Sequence, residues 1–223
     1  MQSNGVVRGA YQYFRASVDP TAQASLVVSS LQKAGGLHAG DLPVVMDLET
    51  ADGQPEATIE ANVHTWLAAV EAQTGRTPII YTSSGTYPVS TPAFAAYPLW
   101  VANYGASCPS MPTGWSQWQF WQNSSTGSVN GIGTGNVDLD EFNGTLADLT
   151  AFAGSALVDS GMPGPTGDGG PPSDAGPAES EAGAAEEAGV SGNGGSAMGN
   201  AGNMVSLADA STGSPDASTV NCH

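Results

Sequence analysis

The stretch Leu42-Pro43-Val44-Val45-Met46-Asp47-Leu48-Glu49 is an apolar run that ends in two carboxylates two residues apart. Side chains on a strand alternate faces, so Val45, Asp47 and Glu49 share one side while Val44, Met46 and Leu48 share the other. A run that is apolar on both faces suits an interior strand of a parallel sheet covered by helices. Two ionisable groups in such a setting are costly unless they are used or paired. The stretch therefore predicts a buried strand delivering a catalytic pair to the mouth of an α/β barrel, where parallel strands gather their working residues at their C-terminal ends.

The flanking sequence supports that architecture. Gly5 to Phe14 runs from a loop into an aromatic-rich strand. Asp19-Pro20 reads as an N-cap with proline at the first helical position, followed by Ala22, Leu26, Val27, Leu31 and Ala34 at helical spacing up to Gly35-Gly36. A second helix begins near Thr58, carries Ile59, Val63, Trp66, Leu67 and Val70 on one stripe, and closes at Gly75. Strands are predicted over Thr77 to Thr82, Leu99 to Tyr104, Trp118 to Gln122 and Asn136 to Asp140, the last ones without full helical crossovers. Tyr13, Glu49, Tyr81, Tyr104, Gln122 and Asp138 then stand at strand ends on one face. Aromatic rings among carboxylates and amides suit a sugar polymer, whose ring faces stack and whose hydroxyls need polar partners. The cluster Trp115, Trp118 and Trp121 reads chiefly as core, with Trp121 placed in the site as one candidate ring.

Composition divides the chain. All five Phe, five Trp and six Tyr precede residue 156, and the remainder is chiefly Gly, Ala, Ser, Pro, Asp and Glu with scattered aliphatics. Residues 1–155 form the predicted folded domain, and 156–223 an acidic low-complexity tail that buries too little apolar surface to order itself. The net charge of −17 follows from 21 acids against 4 bases, and no Lys or Arg lies beyond Arg76. That balance excludes a nucleic-acid footprint and attraction to anionic lipid, and no stretch is long and apolar enough to span a membrane. His38, His64 and His223 have no metal-site spacing, so neither metal nor cofactor is expected. A Cys108–Cys222 disulfide is left open, and Asn123-Ser124-Ser125 and Asn143-Gly144-Thr145 match a short glycosylation pattern.

Gly9-Ala10-Tyr11, Pro43 to Glu49, Thr74 to Thr82, Leu99 to Gly105, Trp118 to Gln122 and Val137 to Gly144, in this order, resemble glycoside hydrolase family 25, the lysozymes that act on peptidoglycan. The resemblance covers residues 5 to 146. It implies a flattened (β/α)5(β)3 TIM-like barrel, here lacking its first one or two β/α units, and hydrolysis of the β-1,4 bond between N-acetylmuramic acid and N-acetylglucosamine. By matching position, Glu49 is the general acid with its pKa raised, Asp47 its ionised companion, and Asp138 the acid on the last strand, with Asp140 the lesser member of that pair. Tyr11, Tyr81 and Tyr104 match aromatic positions around the cleft. The implied partner is the bacterial peptidoglycan glycan strand, met by a monomer acting outside the cell or at the wall. The missing first strand, which in the family carries a further aspartate, leaves open a non-catalytic wall-binding remnant, or an inert head on an interaction tail.

Overall fold

A computed structural model of the chain describes residues 6–133 and 136–154. All of them fall within the first of the two units into which the chain divides. The tail from 156 onward, with Cys222 and His223, lies outside the described residues, as does the expectation that it is disordered.

Six strands form one sheet in sequence order: β1 (Tyr11–Tyr13), β2 (Val45–Asp47), β3 (Ile79–Thr82), β4 (Leu99–Ala102), β5 (Phe120–Gly127) and β6 (Val137–Phe142). The first four pairings are parallel and the last, β5 with β6, is antiparallel. The sheet curls into a half-barrel. Two helices, α1 (Pro20–Lys33) and α2 (Glu56–Thr74), cover its outer face, and a short α3 (Leu146–Phe152) follows β6.

Local chemistry starts and stops these elements where the sequence marks them. Asp19 Oδ1 accepts from the backbone N–H of Thr21 at 2.8 Å and of Ala22 at 3.4 Å, with Pro20 opening α1. Gly75 ends α2 in the left-handed conformation, φ 68°, which glycine adopts without a Cβ penalty. The α2 stripe Ile59, Val63, Trp66, Leu67 and Val70 is buried as predicted. The α1 stripe is rotated from its prediction: Ala24, Val27 and Val28 face the sheet, and Leu26 is 59% exposed.

Two apolar layers result. Val44, Met46 and Leu48 pack outward with Phe14 and the inner stripes of α1 and α2. Leu42, Val45, Ile79, Trp100 and Phe120 pack inward, with Tyr11, Tyr81, Phe142, Leu149 and Phe152 against them. The alternation read from the 42–49 stretch thus assigns its two faces correctly.

At the N-terminal end of the strands, Arg76 ties the sheet to the end of α3. Its Nη1 donates to the carbonyls of Asp41 and Ala153, and its Nη2 to that of Phe152 at 2.7 Å. Arg76→Ala leaves three carbonyls without this partner and is expected to cost about 2–3 kcal/mol. The check is a lowered urea midpoint with unchanged slope.

Candidate active site

Strand register builds the barrel mouth level by level. Tyr13 pairs with Asp47, Asp47 with Tyr81, Tyr81 with Trp100, Trp100 with Phe120, and Phe120 with Phe142. The Asp47 carboxyl therefore stands in a ring of aromatic side chains, above the layer of Val45 and Ile79. One pleat further toward the C-terminal ends, Ala102 pairs with Gln122 and Gln122 with Asp140, and Glu49 follows Asp47 at the same outward step.

This geometry settles the electrostatics of Asp47. Burial first, and the Glu49 carboxylate second, push its pKa up to about 7. Its Oδ1 is buried without a hydrogen-bond partner among the described residues. The sequence predicts an ionised Asp47 beside a raised Glu49. In the structure Asp47 itself is the raised group. The cause is burial between the neighbouring strands, where Tyr13 and Tyr81 stand level with Asp47 and Val45 and Ile79 lie below it.

Gln122 organises the opposite wall. The hydroxyls of Tyr81 and Tyr104 both donate to its Oε1, each at 2.7 Å, and Gln122 is buried. Tyr81 also meets the edge of Trp100, with ring centroids 6.0 Å apart, while Tyr104 remains 51% exposed. Two predicted cleft tyrosines and the predicted amide are thus one hydrogen-bonded unit.

Asp138 and Asp140 lie two apart on β6 and share a face. Because β6 runs antiparallel, Asp138 stands at the beginning of its strand, the reverse of its expected C-terminal position, yet at the same end of the sheet. Asp138 is exposed. Asp140 accepts from Trp100 Nε1 at 2.8 Å, and burial, with Asp138 adding to it against the opposing Trp100 hydrogen bond, pushes its pKa up to about 7. By sequence Asp140 ranks below Asp138. Its indole partner comes from β4, which no local pattern on β6 discloses.

Two predicted residues are placed elsewhere. Trp121 faces the outer layer, packs edge-on to Trp118 at 6.0 Å and donates from Nε1 to the carbonyl of Asn103. Strand alternation dictates this, since Phe120 and Gln122 take the inner face. Tyr11 pairs with Val45, one pleat below Asp47, and packs in the inner apolar layer. Tyr13, 45% exposed, is the tyrosine of β1 at the mouth.

Residues 1–132, more than half of the chain, match the family model for glycosyl hydrolases family 25. The chain belongs to that family. This family 25 chain is 38% identical over 152 residues to YegX of Escherichia coli K12, covering 68% of the chain and 53% of YegX. It is 36% identical over 163 residues to lysozyme M1 of Streptomyces globisporus, covering 67% and 54%. The chain thus spans about half the length of these relatives. The bacterial lysozyme from Streptomyces coelicolor superposes with a TM-score of 0.62 at 34% identity, over 69% of this chain and 75% of that one. The family match ends before β6, so Asp138 and Asp140 lie beyond it. Among the described residues no helix is long and apolar enough to cross a membrane.

Proposed function

We propose that the chain is a peptidoglycan muramidase. The observation that carries this is the pair Asp47 and Glu49 at the end of β2, on the inner face of the half-barrel, with Asp47 level with Tyr13 and Tyr81 of the neighbouring strands. Carboxyl groups so placed serve acid–base work on a glycosidic bond.

In this reading Glu49 donates its proton to the leaving glycosidic oxygen. Asp47, in its ionised form, steadies the positive charge that develops at the anomeric carbon and orients the 2-acetamido group, whose oxygen attacks from the opposite face. Asp138 adds negative charge from across the mouth. Tyr81 and Tyr104, fixed through Gln122, offer ring faces and edges to the sugar. The same reading takes the six strands as part of a flattened (β/α)5(β)3 barrel, residues 1–155 as the catalytic domain and 156–223 as a solvating tail. It places the protein outside the cell or at the wall, where its polymer is, and as a monomer.

Product analysis tests the reaction. Purified peptidoglycan digested with the chain and then reduced with borohydride is expected to yield N-acetylmuramitol at the new termini. N-acetylglucosaminitol in its place means that the other glycosidic bond is cut, and the muramidase reading fails.

A further inference from the structure

Only four Lys and Arg occur in the whole sequence: Arg8, Arg15, Lys33 and Arg76. Arg8 pairs with Asp41, and Arg76 binds the same segment, at the N-terminal end of the strands. Lys33 closes α1, which returns to that end. Arg15 alone stands at the cleft end. It follows Phe14, which is buried outward and whose N–H continues the ladder onto the Asp47 carbonyl at 2.8 Å. Tyr13, the mouth tyrosine of β1, feels the charges of Glu49, Asp47 and Arg15 together, which places the Arg15 guanidinium beside the mouth.

Arg15 is held in place from several directions. The buried amide of Gln23 accepts from the Arg15 N–H at 2.9 Å and donates to its carbonyl at 3.0 Å. Asp52, on the loop between β2 and α2, takes Nε at 2.9 Å and Nη2 at 2.9 Å. Asp52 itself has φ 48°, a conformation uncommon for a side chain other than glycine, and its N–H donates to Thr50 Oγ1 at 3.2 Å. A guanidinium has two edges that fit carboxylates. Asp52 occupies the Nε edge, and among the described residues nothing accepts from Nη1. The side chain is 53% exposed.

We propose that Arg15 is a specificity-determining residue that receives, on its free Nη1 edge, a carboxylate of the glycan substrate. The inference rests on the muramidase reading and names which form of the polymer the cleft prefers. A muramic acid glycan bears carboxylates in two places, on the lactyl ether when no peptide is attached and on the peptide stem when one is. Without Arg15 the charged side chains that such a polymer would meet at the mouth, among the described residues, are the acids Asp47, Glu49, Asp138 and Asp140. Arg15 offsets that repulsion where the acid group arrives, and Asp52 keeps the fork aimed.

The test uses the full 223-residue chain and three labelled glycan strands: peptide-bearing, stripped by an amidase to free lactyl carboxylates, and stripped then amidated with carbodiimide and ammonia. Binding is read by fluorescence anisotropy with hydrolysis followed in parallel. Wild type is expected to bind a carboxylate-bearing strand about fivefold more tightly than the amidated one, a gap that closes with added salt. Arg15→Gln should lose the gap while binding amidated strands as wild type does, and Arg15→Lys should keep part of it. Preference for stripped strands assigns the lactyl group, and preference for peptide-bearing strands alone assigns the stem. Equal weakening of all three strands by Arg15→Gln, no preference in wild type, or no binding of any strand overturns the proposal. Charge-selective binding without hydrolysis would leave Arg15 assigned and remove the enzymatic reading instead.

Discussion

Glu49→Gln is expected to slow wall lysis by about 10²–10⁴-fold, the usual contribution of a positioned general acid. The substitution keeps the shape of the side chain and removes the transferable proton. Glu49 makes no hydrogen bond among the described residues, so no buried partner is orphaned and the fold should persist. The charge change also reaches Asp47: with the Glu49 carboxylate gone, one of the two causes that raise Asp47 disappears, and its pKa should fall. Turbidity of a wall suspension measures the first effect, and near-UV circular dichroism checks the fold.

Asp47→Asn is the second large effect, and it has a sign that depends on pH. The Asp47 pKa is about 7 in the folded chain against an ordinary 3.8. Below pH 4 both folded and unfolded chains carry the proton and the group contributes nothing. Between pH 4 and 7 the unfolded chain has released a proton that the folded chain still holds, so stability falls as pH rises through that window. Above 7 the full penalty of a buried carboxylate is present. Three units correspond to an upper bound of about 4 kcal/mol, and solvent relaxation around a partly buried pair reduces this to roughly 2 kcal/mol. Asparagine removes the penalty. The variant should therefore melt higher than wild type at pH 8, match it near pH 4, and lose most of its activity at both. Asp140 is raised in the same direction, so the variant keeps a residual slope of its own. Thermal melts at three pH values, with lysis measured beside them, decide the matter. Equal melting temperatures at pH 8 would mean that Asp47 is not strained by its setting.

The combination explains why the site looks as it does. A carboxyl that costs its own fold stability is the kind of group that functional sites hold, and Asp47, beside Tyr13 and Tyr81 at the end of β2, is placed as the proposed reaction needs.

How far the residues alone disclose this differs from element to element. The two faces of the 42–49 stretch and the α2 stripe are legible because period 2 and period 3.6 are local properties of the chain. The α1 stripe is only partly legible by sequence: of the predicted positions Val27 is buried and Leu31 packs against the core, whereas Leu26 is exposed and Ala24 and Val28 take the remaining inner places. Trp121 belongs to the outer layer by alternation with Phe120 and Gln122, a register that its aromatic character obscures. Helix α3 is absent from the sequence expectation although its signal is present. Thr145 and Asp148 form a capping box in the structure, in a segment that also reads as a glycosylation pattern. The direction of β6, the indole bond to Asp140 and the raised pKa of Asp47 are not legible. Each depends on side chains from strands distant in sequence, and nothing local records which strand lies beside which.

The working of the Asp47 and Glu49 pair is tested most directly by one comparison, the release of new reducing ends from purified peptidoglycan by the 223-residue chain and by its Glu49→Gln variant, with both shown to be folded. Steady release is predicted for the wild-type chain, and a loss of at least about a hundredfold for the variant. Folded wild type that releases none, or a variant that releases them as fast, contradicts the assignment of Asp47 and Glu49 as a working catalytic pair.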